Sequence, residues 1–148
     1  MSDVLTTMLS DHVLEVRLNR PDQLNAISPN MLDGIIDAMR QANHSREVRV
    51  VLLTGEGRGF CTGADLTTQS DAGDIPGTEG MGDLGFRYKY QERIAEAALA
   101  IHECDKPVIA AINGAAVGGG LAFALASDLR NAARGAKLGS VFIQTGLS

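Results

Sequence analysis

Two nearly continuous apolar runs constrain the fold of this chain more than any other feature. The first lies between Val48 and Leu53, and the second lies between Val108 and Ile112. A strand that is apolar on both faces is typical of a buried parallel sheet, and parallel neighbours need a long crossover connection, usually a helix. The two runs therefore predict an α/β architecture in which the intervening chain supplies helices.

Two helices are predicted, one before each of the two apolar runs. Ser28 and Pro29 provide an N-cap and a first helical residue, and apolar side chains then recur at helical spacing to about His44. The stretch Asp71–Gly85 has five glycines and four acids, so we predict a mobile surface loop there. The second helix follows this loop. Its apolar face comprises Phe86, Tyr90, Ile94, Ala97, Ala98 and Ile101.

The remaining predicted elements are short. The alternating segment Val13–Leu18 is predicted to be a half-buried strand that pairs with Val4–Leu9. A third helix is predicted over Leu121–Ala126. It is followed by strands at about Leu129–Ala133 and Leu138–Ile143.

Composition excludes several classes of function. The 148 residues include 13 Lys+Arg and 18 Asp+Glu, a net charge of −5, so the chain lacks the basic excess of a nucleic-acid binder or of a protein that docks on anionic membranes. No apolar run approaches the roughly 20 residues of a membrane span, and no signal peptide is visible. Cys61 and Cys104 cannot form a disulfide framework, so we expect a reducing, cytoplasmic location.

The familiar motifs of cofactor and metal chemistry are missing. The segments Gly55–Gly57 and Gly118–Gly120 are followed by Phe60 and Phe123 where a dinucleotide fingerprint needs its last glycine. No glycine-rich loop leads into Lys-Ser or Lys-Thr, and the three histidines are too scattered for a zinc site. We therefore expect neither a metal nor a separate cofactor.

Two glycine-containing segments, Gly59–Leu66 and Ile112–Gly120, follow the predicted buried strands. In parallel α/β folds such loops lie at the carboxyl ends of the strands, where ligands bind. Two backbone N–H groups from two loops can bracket one oxygen that gains negative charge during a reaction, and a helix that starts at Gly119 or Gly120 would add its positive end. The residues alone leave open the alternative that both segments are only tight turns.

The same two segments, together with Leu18-Asn19-Arg20-Pro21 and Leu24-Asn25-Ala26, resemble the crotonase (enoyl-CoA hydratase/isomerase) superfamily in order and spacing. The resemblance runs through all 148 residues. It implies a crotonase-like spiral of ββα units, assembled as a homotrimer or hexamer. It also implies an acyl-CoA thioester as the ligand, with coenzyme A as part of the substrate. Residues 1–148 would be the N-terminal part of a crotonase-like domain whose C-terminal part is absent.

The resemblance implies roles for particular residues. The backbone N–H groups of Ala64 and Gly119 would form an oxyanion hole for the thioester enolate. The residues that would contact the ligand are Gln23 and Leu24 near the CoA nucleotide, and Asp65, Leu66 and Thr67 along the pantetheine and acyl path.

The chain departs from the hydratase pattern at both acid–base positions. Hydratases of this family use two glutamates to place and activate water, and the matching positions here are Ala122 and Phe142. General acid–base catalysis typically contributes about 10²–10⁴-fold per group, so hydration by the two-glutamate mechanism should be very slow. One hypothesis is an enzyme of hydratase/isomerase type with its acid or base elsewhere, and another is a non-catalytic acyl-CoA-binding protein. A hydrolase of the Clp-protease type ranks last, because Gly118–Ala122 contains no serine.

The other charged candidates have structural interpretations. Asp65 and Asp128 are predicted to be structural, and Arg20 is predicted to fix its turn or contact the CoA phosphates. Glu92 and Glu96 are predicted to lie on a solvated helix face.

Overall fold

Strands and helices alternate along the chain as the sequence predicts. The computed structural model describes residues 2–10, 12–65, 80 and 82–141, with the backbone alone for residues 83 and 84. The elements are β1 (Val4–Ser10), β2 (Val13–Leu18), α1 (Pro29–His44), β3 (Val50–Gly55), β4 (Gly59–Cys61), α2 (Gly82–His102), β5 (Val108–Ile112), β6 (Ala115–Val117), α3 (Gly119–Ala126), β7 (Leu129–Ala132) and β8 (Leu138–Gly139).

The strands form two sheets that the chain visits in turn. The larger sheet has the order β1-β2-β3-β5-β7, with β1 antiparallel to β2 and the other neighbours parallel. The smaller sheet has the order β4-β6-β8 and is parallel throughout. The chain passes through β3, β4 and α2, then β5, β6 and α3, then β7 and β8. This repetition is the predicted spiral of ββα units.

Register across the larger sheet explains the apolar runs. Alternate residues of β2, β3 and β5 lie side by side and are buried with side chains of α1 and α2 in one core. Because helices pack against this face, the parallel strands keep it strictly apolar. The two central rows are Leu14, Val51 and Val108, and Val16, Leu53 and Ala110.

The N-terminus of α1 is capped as predicted. Ser28 is the N-cap in extended backbone, and its Oγ accepts a hydrogen bond from the N–H of Met31 at 3.0 Å. The same hydroxyl donates to the carboxylate of Asp3. Pro29 is the first helical residue, where its missing N–H costs nothing because that position has no intrahelical acceptor.

Helix α2 begins earlier than the sequence predicts. The loop prediction for Asp71–Gly85 is wrong at its C-terminal end, because residues from Gly82 onward are helical, while residues 71–79 lie outside the described residues. Glycine costs little in a first helical turn, and the buried rings of Phe86 and Tyr90 hold the helix from its second turn. No helix among the described residues is long and apolar enough to cross a membrane.

Two strands lie in segments that the sequence analysis treats as loops. β4 and β6 have three residues each, and Cys61 pairs with Ala116. Strands this short show too little alternation to be recognised. The predicted strand over Leu138–Ile143 is shorter in the structure, because pairing covers only Leu138–Gly139 and Phe142 onward lies outside the described residues.

Candidate active site

The two glycine-containing loops meet at the N-terminus of α3. A Cβ atom built on Gly63 would lie 3.5 Å from the backbone nitrogen of Gly119 and 3.0 Å from the carbonyl oxygen of Val117. A Cβ atom built on Gly120 would lie 2.1 Å from the carbonyl oxygen of Cys61. The two backbones are therefore in direct contact, and glycine is the residue that permits this approach.

The orientation of Ala64 is set by a single β-bridge to Ile27. The N–H of Ile27 donates to the carbonyl of Gly63 at 2.8 Å, and the N–H of Asp65 donates to the carbonyl of Ile27 at 3.2 Å. In a parallel bridge of this pattern, the middle residue turns its own N–H and C=O away from the partner strand. Within the described part of the chain, no group accepts a hydrogen bond from the N–H of Ala64.

The N–H of Gly119 also has no backbone acceptor among the described residues, but for a different reason. Gly119 is the first residue of α3, and the first N–H groups of a helix have no intrahelical acceptor. The N-cap, Gly118, has no side chain that could accept a hydrogen bond, and Ala122 donates to its carbonyl at 3.1 Å. The helix therefore presents its partial positive charge next to the segment that contains Ala64.

A buried ion pair fixes the segment that contains Ala64. The Nη2 atom of Arg20 donates to the carboxylate of Asp65 at 3.0 Å, and Nη1 donates to the carbonyl of Ala26 at 2.6 Å. The side chain of Asp65 is 7% exposed and that of Arg20 is 17% exposed. These contacts agree with the predictions that Arg20 fixes its turn and that Asp65 has a structural role, while contact of Arg20 with the CoA phosphates stays a prediction. The predicted place of Asp65 along the pantetheine path stays a prediction.

Asn25 joins the same turn to the β3–β4 connection. Its Oδ1 accepts from the N–H of Arg20 at 2.8 Å, and its Nδ2 donates to the carbonyls of Glu56 at 2.9 Å and Gly59 at 2.8 Å. The side chain is fully buried, and the backbone is left-handed with φ +55°, a conformation that asparagine tolerates better than most residues. The motif Leu24-Asn25-Ala26 gives no local signal for this role, which depends on carbonyl groups more than 30 residues away.

The predicted CoA-contacting residues lie at the other end of that turn. Gln23 ends a short 3-10 turn and its side chain is exposed. Leu24 is partly buried, and its carbonyl accepts a hydrogen bond from the hydroxyl of Thr62 at 3.3 Å. This contact brings the turn beside the strand that leads to Ala64. Contact of Gln23 and Leu24 with CoA stays a prediction. Residues 66 and 67, which are also predicted to contact the ligand, lie outside the described residues.

Tyr90 packs α2 behind the bridge between Ile27 and Ala64. Its hydroxyl donates to the carbonyl of Ile27 at 2.5 Å, and its ring stacks on that of Phe86 with centroids 5.8 Å apart. Burial raises the pKa of Tyr90 to about 12, which keeps the phenol protonated. The sequence pattern predicts only that Tyr90 lies on an apolar helix face. The hydrogen bond to Ile27 is found only in the structure.

An apolar groove of about 520 Å³ lies between α2 and α3. Ala122, at the position of the first hydratase glutamate, lines this groove together with Gly119. The polar side chains in its lining are Gln91 and His102. Phe142, at the second glutamate position, lies outside the described residues. The described residues that line the groove are Gln91, Ile94, Ala95, Ala98, Leu99, His102, Gly119, Ala122 and Ala126.

The other charged candidates have structural partners. Glu92 pairs with Lys89 at 2.7 Å on the exposed side of α2, and Glu96 pairs with Arg93 there. The carboxylate of Asp128 accepts from the N–H that begins β5, at 2.8 Å. These predictions are confirmed. Across the described ranges, no group of three or more His, Cys, Asp or Glu side chains is arranged to hold a metal ion.

Cys61 provides a test of how closely the two loops pack. Burial raises the pKa of its thiol from 9.0 to about 12, whereas Cys104 is partly exposed. We expect iodoacetamide to label Cys104 and spare Cys61 in the folded protein near neutral pH, and to label both in urea. Peptide mass spectrometry measures this difference. Native labelling of Cys61 at the unfolded rate would contradict the packing.

The same shift predicts a loss of stability at alkaline pH. The unfolded thiol ionises near pH 9.0, while the folded thiol stays protonated to about pH 12. The free energy of unfolding should therefore be at its full value below pH 9 and fall as the pH rises toward 12. The variant Cys61→Ala should show a smaller fall than the unmodified protein in urea titrations. An equal fall in both proteins would mean that the Cys61 thiol is not the source of the alkaline loss of stability.

A spiral of ββα units with two small-residue loops meeting at a helix N-terminus defines a crotonase-like fold. Residues 9–148 match the family model described as enoyl-CoA hydratase/isomerase. This chain belongs to the enoyl-CoA hydratase/isomerase family.

Several curated sequences and solved structures are similar to the chain. A probable enoyl-CoA hydratase of Mycobacterium leprae (strain TN) is 39% identical over 133 residues, which are 90% of this chain and 44% of the relative. A crystal structure of a probable enoyl-CoA hydratase/isomerase from Mycobacterium abscessus superposes with a TM-score of 0.85 at 35% identity, over 99% of this chain and 52% of that one. A monofunctional enoyl CoA isomerase from M. smegmatis has a TM-score of 0.72 at 33% identity, over 93% of this chain and 53% of that one. The chain spans about half the length of the relatives that it matches.

Proposed function

We propose that this chain binds an acyl-CoA thioester and stabilises its enolate, as an enzyme of enoyl-CoA hydratase/isomerase type. The observation that carries the proposal is the direct contact between the loops that contain Ala64 and Gly119, since among the described residues neither of their N–H groups donates a backbone hydrogen bond and Gly119 lines an apolar groove. The thioester carbonyl oxygen would lie between these two N–H groups. When the α-carbon loses a proton, negative charge moves onto that oxygen, and fixed N–H donors stabilise it without reorganising.

The contribution of this chain is polarisation of the thioester. The methyl group of Ala122 cannot move a proton, and the carboxylate of Asp65 is held by Arg20. Proton transfer to or from the acyl group would therefore depend on a group other than these two. Coenzyme A would serve as part of the substrate, with no separate cofactor. Assembly into trimers or hexamers stays a prediction from the family resemblance.

A second candidate function is binding of acyl-CoA without turnover. It is favoured by Ala122, since the described lining of the groove contains no carboxylate where a hydratase has its first glutamate. The two proposals share the oxyanion contacts and differ only in whether a product forms.

Calorimetry and absorbance on one sample distinguish these proposals. The protein is titrated with acetoacetyl-CoA, which enolises readily, with free coenzyme A as the control that lacks the carbonyl. Crotonyl-CoA is then added and its enoyl-thioester absorbance is followed. Binding with loss of absorbance supports a hydratase, and binding without it supports an isomerase or a binding protein. Affinity for acetoacetyl-CoA no greater than that for free coenzyme A would contradict the oxyanion proposal.

A further inference from the structure

Gln91 lines the apolar groove about one helical turn before Ile94, the residue of α2 that packs against Gly119. Gly119 lines the groove as well. The Cγ2 atom of Ile94 would lie 3.3 Å from a Cβ atom built on Gly119. One turn advances about 5.4 Å along a helix. A ligand whose carbonyl oxygen contacts the N–H of Gly119 would therefore place its next few atoms within reach of the Gln91 side chain.

The amide of Gln91 is available to a ligand. The side chain is partly buried, and among the described residues no hydrogen bond to its amide is found. The side chains next to it along the groove, Ile94, Ala95 and Ala98, are apolar. The other polar side chain of the lining, His102, lies eleven residues later on the same helix, about 16 Å away. A short acyl group can therefore contact Gln91 without contacting His102.

The chemistry of an amide limits what it can recognise. A primary amide donates and accepts hydrogen bonds but carries no charge. It suits a hydroxyl or ketone oxygen. A carboxylate would need a cation, and the described lining contains neither lysine nor arginine.

We propose that Gln91 is a specificity-determining residue that binds an oxygen substituent at C3 of the acyl group. The site then prefers 3-hydroxyacyl-CoA or 3-oxoacyl-CoA to the saturated acyl-CoA of the same length. This inference rests on the proposed function, because the thioester must be held at Gly119 for C3 to lie beside Gln91.

The test compares 3-hydroxybutyryl-CoA with butyryl-CoA by calorimetry. The unmodified chain should bind the hydroxylated ligand about tenfold more tightly, as one neutral hydrogen bond allows. In Gln91→Leu that preference should vanish, while the affinity for butyryl-CoA changes by less than about twofold. The matched control is Gln41→Leu on the exposed side of α1, which should keep the full preference. Thermal unfolding of each variant checks that it folds, and Gln91→Met serves if the leucine variant does not.

The possible outcomes distinguish a failure of this inference from a failure of the proposed acyl-CoA binding. Equal affinity of the unmodified chain for the two ligands, or a preference that survives Gln91→Leu, overturns the role of Gln91 and leaves acyl-CoA binding intact. Failure of the unmodified chain to bind either ligand overturns both.

Discussion

The variant Gly119→Pro should have a kcat/KM for crotonyl-CoA about 10²–10³-fold lower than that of Gly119→Ala. Both substitutions add a Cβ atom 2.7 Å from Cδ1 of Ile27, the far end of a flexible side chain. Only proline removes the backbone N–H, and the first position of a helix is where proline is best tolerated. The difference between the two variants therefore measures the hydrogen bond donated by Gly119.

The measurement is kcat/KM for crotonyl-CoA, or the affinity for acetoacetyl-CoA if the chain binds without turnover. Gly119→Ala is the matched control. It should keep most of the kcat/KM or affinity of the unmodified chain, because rotation of the Ile27 side chain can relieve the contact with the added Cβ atom. Circular dichroism checks that both variants fold alike. Equal kcat/KM or equal affinity in the two variants would mean that the N–H of Gly119 does not contact the thioester oxygen.

The fold could be predicted from the sequence where its signals are local and periodic. The apolar runs identify β3 and β5, and Ser28-Pro29 fixes the start of α1. β4 and β6 could not be predicted, because strands of three residues show no period and their pairing depends on segments more than 50 residues apart. The second sheet became visible only through that long-range pairing.

The candidate site could likewise be predicted only where its signals are local in the sequence. The two loops were found because glycines follow buried strands, and Ala64 and Gly119 were assigned within them by resemblance. The pairing of Arg20 with Asp65 spans 45 residues and could not be read from local pattern. The place of Gln91 was also hidden, because the face of α2 that meets a groove is known only once α3 has been located beside it.

The close approach of the two loops predicts a large loss of stability in Gly120→Ala. Its Cβ atom would lie 2.1 Å from the carbonyl oxygen of Cys61 and 2.7 Å from the carbonyl carbon, and backbone atoms cannot rotate away. We expect the free energy of unfolding to fall by about 3 kcal/mol, at the upper end of the usual cost of overpacking. Urea titration and thermal unfolding measure the change.

Packing and helix propensity predict opposite signs for the effect of this substitution on stability. Alanine is favoured over glycine within a helix by about 1 kcal/mol, so propensity alone would make Gly120→Ala stabilising. Gly135→Ala introduces the same methyl group where no atom lies within 4 Å, and it should change the free energy of unfolding by less than about 0.5 kcal/mol. If Gly120→Ala proved as stable as Gly135→Ala, the loop after β4 could not lie against the start of α3. The close approach of the loops that contain Ala64 and Gly119, on which the proposed function rests, would then be contradicted.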